Sequence, residues 1–172
     1  MRMLFEIDTK DYDINGSSFS RPSSRGIIIK NGKAAMIHSR KYHYYKFPGG
    51  GIEADEKRED TLIREVLEET GLCVLPDTIR EYGHVHCIQK GELEDVFIQD
   101  NYYFLCDVEA SVKPQNLDAY EADEGFVLEY ILPQEAIDIN KRNHSEAVDQ
   151  IMLEREIKVL ELLIKEGYFE NE

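Results

Sequence analysis

No stretch of this chain stays apolar long enough to cross a bilayer, and its opening, MRMLFEIDTKDYD, lacks the hydrophobic segment of a secretion signal. Cytoplasmic residence, with no membrane partner, is the expectation that follows. Cysteine is scarce: Cys73, Cys87 and Cys106 form an odd set without C-x-x-C spacing, each in an apolar, strand-like run. That argues against a disulfide framework and predicts reduced core residues. Internal repeats, low-complexity tracts and linkers are missing, so one domain is expected over residues 1–172. Basic residues are also in short supply, 20 against 35 acids for a net charge of −15. Such a charge repels a nucleic-acid polymer or an anionic membrane and suits a cation-dependent protein.

What is present has globular composition, with 42% hydrophobic and 32% charged residues. Alternation over Met3 to Ile7 predicts a short strand, and the turn formers of Asn15 to Gly26 predict a polar loop. Asn31-Gly32 between two apolar runs, Gly26 to Ile29 and Ala34 to His38, predicts a hairpin. Leu62, Ile63, Val66 and Leu67 recur at helical steps, so residues 57–70 should form a helix stopped by Gly71. Strands are expected over Tyr82 to Ile88, Asn101 to Val108 and Phe126 to Leu132, the last closed by Pro133. A long amphipathic helix is expected over residues 144–168, with Ser145 as its cap. Its apolar stripe could complete the core or pair with a second chain as a homodimer.

On the first helix Glu65, Glu68 and Glu69 stand at i, i+3 and i+4, so their carboxylates share a face. A solvated acidic face is one reading of that pattern. The other is a cation site, because crowded like charges are relieved by a hard divalent ion such as Mg²⁺ or Mn²⁺. The glycines at 49–51 would let a main-chain carbonyl join the carboxylates or an amide meet a phosphate. A cation there could lower the pKa of a bound water and orient it for attack at phosphorus.

Gly50, Glu56, Arg64, Glu65, Val66, Glu68, Glu69, Gly71 and Leu72 match without departure the Nudix box G-x5-E-x7-R-E-U-x-E-E-x-G-U, where U is a bulky aliphatic residue. Phe47 to Glu53 resembles the family's lead-in, and Glu129 to Ala136 its late strand and turn. The resemblance to Nudix hydrolases covers a core of about residues 25–138. It implies an α+β fold, an α/β/α sandwich around a mixed β-sheet, here with a long C-terminal helix. The implied activity is Mg²⁺- or Mn²⁺-dependent cleavage of a nucleoside diphosphate linked to another moiety, with a nucleotide-type small molecule as substrate. A binder of nucleotide metabolites that does no chemistry is the alternative on the same fold.

By the same resemblance Glu68, Glu69 and the Gly49 carbonyl are expected as metal ligands, and Glu65 as a further ligand or the base. Arg64 is expected to orient these carboxylates, Glu56 to support them, and Gly50 and Gly71 to serve the backbone. Because the family's base sometimes comes from a later loop, Glu124 in YEADEG is the preferred further ligand or base. Lys57 and Arg58 depart from the small cap and proline often found at the helix start. Substrate contacts are sought outside the box: Arg25 and Arg40 for phosphate, Tyr44 and Tyr45 for stacking on a base, strand packing explaining the tyrosines equally well. His84 and His86 share a strand face without a third ligand nearby, so packing or solvent is expected for them. Cys87 and Ile88 stand where some subfamilies carry a diagnostic proline or tyrosine, which leaves the leaving group open.

Overall fold

The computed structural model describes residues 1–170. In chain order the elements begin with strands β1 (Met3–Asp8), β2 (Ser18–Ser20), β3 (Ser23–Ile27), β4 (Ile29–Lys30), β5 (Lys33–Ser39), β6 (Tyr44–Lys46) and β7 (Gly49–Gly51). Helix α1 (Arg58–Thr70) leads into β8 (Leu72–Val74), β9 (Arg80–Gln89), β10 (Val96–Leu105) and β11 (Val108–Val112). Helix α2 (Ala119–Glu124), β12 (Phe126–Ile131), α3 (Pro133–Arg142) and α4 (Gln150–Lys165) complete the fold.

A mixed sheet runs β1-β9-β10-β3-β7, with β2 also on β10. Strands β1 and β9 are parallel, as are β10 and β3, while β9–β10 and β3–β7 are antiparallel. A second sheet, β12-β5-β4 with β6 on β5, is antiparallel throughout. Period-two alternation sends consecutive residues to opposite sides. Ile27, Met36 and Tyr103 pack toward α3 and α4 with Ile137, Val159, Leu160 and Leu163, whereas Ile28, Ala35 and Phe104 pack toward α1 with Leu62 and Val66. The result is the expected sandwich, mixed sheet in the middle and helices on both faces. No helix among the described residues is long and apolar enough to cross a membrane.

Helix α1 forms where its apolar spacing predicts, and Gly71 ends it in the left-handed region at φ 77°, donating its N–H to Leu67. A Cβ there would lie 1.8 Å from the Lys113 carbonyl, so the position excludes a side chain twice over. The start has no side-chain cap at Lys57, and Glu59 and Asp60 in the first turn offset the helix dipole instead. Asn31 and Gly32 both take positive φ in the β4–β5 turn, as a two-residue hairpin demands.

Three expectations need correction. The polar loop read over residues 15–26 contains β2 and β3, and Ser23 and Ser24 are fully buried because β3 lies between β10 and β7. The strand expected over 101–108 starts at Val96 and breaks after Leu105. The last helix begins at Gln150, capped by Asp149, whose carboxylate accepts from the N–H groups of Ile151 and Met152; Ser145 only caps a preceding turn. Pro133 closes β12 by opening α3, since a proline suits the first helical turn. The apolar stripe of α4 is consumed by this chain's own core, with Val159, Leu160 and Leu163 fully buried.

Candidate active site

Each glycine of strand β7 leaves room for a neighbouring group. The strand's register with β3 sets Gly51 opposite Ser23, Gly50 opposite Ser24 and Gly49 opposite Arg25. Gly49 has φ 146°, and a Cβ on it would stand 2.1 Å from the Ser24 carbonyl oxygen. A Cβ on Gly50 would meet the Glu65 carboxylate at 2.4 Å, and one on Gly51 the Arg21 Nε at 2.7 Å. Backbone, acid and base each occupy the volume of one missing side chain. Together they border a cleft of about 570 Å³ that is also lined by Arg64, Glu68, Tyr120 and Glu121.

Arg64 organises the acids of α1. Its Nε and Nη2 fork onto the two oxygens of Glu56 at 2.8 and 2.9 Å, and its Nη1 reaches Glu65 at 2.6 Å and Glu68 at 3.3 Å. Nη2 also points at the Gly51 carbonyl, 3.4 Å away. This fork, helped by the Thr61 hydroxyl and the Glu53 N–H, holds the Glu56 carboxyl down at about 2 and keeps the guanidinium charged. Glu65 moves the other way: burial raises its carboxyl, and the charges of Glu69 and Glu68 add to the rise against the pull of Arg64. The crowding expected from i, i+3, i+4 spacing is therefore present.

Glu69 faces away from the cleft opening. It is 1% exposed, its Oε1 accepting from Lys46 Nζ at 2.7 Å and its Oε2 from the Gly49 N–H at 2.9 Å. Lys46 lies over the Phe126 ring, 4.6 Å from its centroid. The Gly49 carbonyl receives Arg25 Nη1 at 3.4 Å. Among the described residues no three His, Cys, Asp or Glu side chains converge as a ready-made metal cage.

The far wall of the cleft comes from the loop after β11. The last carbonyls of a helix have no partner within it, and here residues 113–116 provide them: Lys113 N–H to Gly71, Asn116 N–H to Glu68, and the Gln115 amide to Glu69. Stitched there, the chain turns into α2 through a capping box in which Asp118 accepts from Glu121 N–H while Glu121 accepts from Asp118 N–H. Glu121 consequently points into the cleft, where burial first and the nearby Glu69 charge second push its carboxyl up to about 7.

Several expected site residues lie elsewhere. Glu124 accepts from Ser39 Oγ at 2.9 Å and Tyr44 Oη at 2.7 Å and does not line the cleft; one helical turn separates it from Glu121. Tyr44 and Tyr45 are buried, the second giving its hydroxyl to Glu129 and stacking on His38, so strand packing explains both. Arg25 lies beneath the glycine strand and donates to Asn101 and to main-chain carbonyls. Arg40 runs past Gly125 on the outside. His86 pairs with Asp100 at 2.8 Å, while the buried His84 Nδ1 has no hydrogen-bond partner among the described residues. Cys87 and Cys106 are buried, and all three cysteines are free. Sequence reasoning missed Arg21 and Tyr120 as cleft residues and preferred Glu124 to Glu121 in the same acidic run; the D-x-x-E spacing of Asp118 and Glu121 was the available signal for the latter.

Comparison with known proteins gives a consistent picture. A 49-residue segment, 27% of the chain, is 43% identical to an RNA pyrophosphohydrolase of Pseudoalteromonas atlantica and spans 28% of that protein. An RNA pyrophosphohydrolase of Shewanella piezotolerans is 25% identical over 126 residues, covering 72% of this chain and 65% of the relative. The chain thus spans less than two thirds of these curated relatives. A NUDIX hydrolase structure from Nitrosomonas europaea superposes with TM-score 0.57 at 16% identity, over 82% of this chain and 90% of the other, which shows a common fold. The family model described as NUDIX domain matches residues 20–152, and the chain, with Gly50, Arg64, Glu65 and Glu68 of its box lining the cleft, belongs to that family.

Proposed function

We propose that this chain is a divalent-cation-dependent pyrophosphohydrolase that cleaves a nucleoside diphosphate linked to another moiety by attack of water at phosphorus. The observation that carries the reading is the convergence of Glu65 and Glu68 with the glycine strand on one cleft, under the control of Arg64. The donor set fits a hard cation. Carboxylate and carbonyl oxygens suit Mg²⁺ or Mn²⁺, and Glu65, its carboxyl raised by burial with the charges of Glu69 and Glu68 adding to the rise, gains from a cation beside it. Glu65, Glu68 and the Gly49 carbonyl would hold the ion. When bound, it supplies charge neutralisation at phosphate oxygens and an acidified water.

The protein's own groups do the rest. Glu69, paired with Lys46, fixes the Gly49 N–H rather than the cation. Arg21 at the glycine edge supplies positive charge for phosphate, and Tyr120 presents a ring to the same space. Glu121, with its carboxyl near 7, is our candidate for the general base in preference to Glu124, because proton transfer is most effective with a group that titrates near the working pH.

The test is product release from nucleoside triphosphates, ADP-ribose, dinucleoside polyphosphates, nucleotide sugars and a 5′-triphosphorylated oligoribonucleotide. Wild type and Glu68→Gln are compared with Mg²⁺, Mn²⁺ or EDTA. The RNA arm is included because of what the curated relatives are named for, although a charge of −15 favours a small nucleotide over a long polyanion. Cation-dependent turnover that collapses in the variant supports the proposal. Ligand binding without turnover across the panel would replace it with a sensor of nucleotide metabolites.

A further inference from the structure

The face of β3 and β10 turned away from α1 carries buried polar groups that an apolar core would have done without. Asn101 is fully buried, and its Oδ1 accepts from Ser23 Oγ at 2.7 Å, Arg155 Nη1 at 2.8 Å and Arg25 Nε at 3.3 Å. On α4, Arg155 and Glu156 are 2% and 0% exposed and joined Nε to Oε1 at 2.9 Å. Tyr103 gives its hydroxyl to the same Oε1 at 2.8 Å. Taking ions from water is costly before any pairing is counted. Here, among the described residues, Glu156 pairs with Arg155 alone, Arg25 donates only to neutral oxygens, and Arg155 Nη2 has no partner. A network so incomplete is a poor way to stabilise a core.

Its outputs explain it better. The second oxygen of Glu156 accepts the main-chain N–H of Phe47. Arg25 Nη1 donates to the carbonyls of Phe47 and Gly49, each at 3.4 Å. Phe47 and Pro48 are the two residues between β6, which belongs to one sheet, and β7, which belongs to the other. No strand partner is available to the Phe47 N–H there, and a helix side chain takes that place. The Gly49 peptide is then fixed on both sides, by Glu69 on its N–H and by Arg25 on its carbonyl.

We propose that Glu156, braced by Arg155 and Tyr103, acts with Arg25 as the positioning device for the Phe47–Gly49 main chain, so that the C-terminal helix sets the direction of the Gly49 carbonyl in the cleft. This rests on the hydrolase reading for its consequence in turnover, but its structural content does not. Outer partners that orient metal ligands characteristically change affinity 10- to 100-fold when removed.

The test uses Glu156→Gln, which keeps shape but loses the charge, and Tyr103→Phe, which removes only the bracing hydroxyl and serves if the first variant does not fold. Three quantities are read: amide hydrogen exchange at Phe47 and Gly49–Gly51 in EDTA, Mn²⁺ affinity without substrate by electron paramagnetic resonance, and kcat and KM. The expected result is exchange at least tenfold faster in this segment while the β9 and β10 amides keep their protection. Mn²⁺ binding should weaken about tenfold, and kcat should fall with KM little changed. Wild-type exchange and Mn²⁺ affinity in a folded variant would overturn the proposal, as would exchange that rises uniformly through the chain. Absence of turnover in the wild type would sink the hydrolase reading while the exchange measurement still decides this one.

Discussion

Gly49 and Gly50 are neighbours constrained by different things, and their substitutions should fail differently. A Cβ at Gly50 meets only the end of the Glu65 side chain, which can swing aside, whereas one at Gly49 meets β3 backbone and requires φ 146°. Gly50→Ala is therefore expected to fold with a melting temperature close to wild type and to lose activity by at least tenfold, because Glu65 is displaced. Gly49→Ala should lose on the order of 2–4 kcal/mol of stability from strain and clash together. Thermal melts alongside turnover separate the two. Glu121 and Glu124 offer a second contrast, since only the first reaches the cleft. Glu121→Gln should lower kcat by about 10²–10⁴ as expected for loss of a general base, and Glu124→Gln should stay within a few-fold of wild type; the reverse order would restore Glu124 as the base.

At the scale of elements, α2 stores a penalty that pH can reveal. The Glu121 carboxyl lies at about 7 in the folded protein, above its ordinary value of 4.5. Between these values the folded state holds more protons than the unfolded one, so this group's contribution to stability is full below 4.5 and is lost as pH rises through 7. Gln at the same position keeps the capping-box geometry without ionising. Urea unfolding in EDTA should find Glu121→Gln level with wild type near pH 4.5 and about 1–3 kcal/mol more stable at pH 8. For α4, Asp149→Ala should cost about 1 kcal/mol and Ser145→Ala a few tenths, since only Asp149 caps the helix. Helix α1, its glycine stop and the hairpin were legible because each has a local cause: apolar spacing, a left-handed cap, an Asn-Gly turn. Helix α2 was not, because six residues are too few for a period to register. Strand β3 was not, because its serines and arginine are buried by partners on β10 and β7 that local composition does not reveal. The same division runs through the site, where the box residues were readable and the far wall, which depends on residues 113–116 docking on α1, was not.

The molecule as a whole is a sheet held between α1 on one face and α3 with α4 on the other, and α4 supplies both apolar mass and the Arg155–Glu156 pair. A chain ending before Asp149 should show no cooperative thermal transition, because removing Val159, Leu160 and Leu163 leaves only α3 over one side of the sheet. Differential scanning calorimetry reads this directly, and a sharp transition in the shortened chain would contradict it. The three consecutive glycines also bear on redesign. Each of their missing side chains is already replaced by a neighbour, one by the carbonyl of Ser24, one by Glu65 and one by Arg21. Randomising positions 49–51 in a library for new leaving groups would yield almost entirely inactive clones. Productive diversity lies across the cleft at Asn116, Leu117 and Tyr120, where side chains line the same space from a loop and a short helix and can be exchanged without touching the strand.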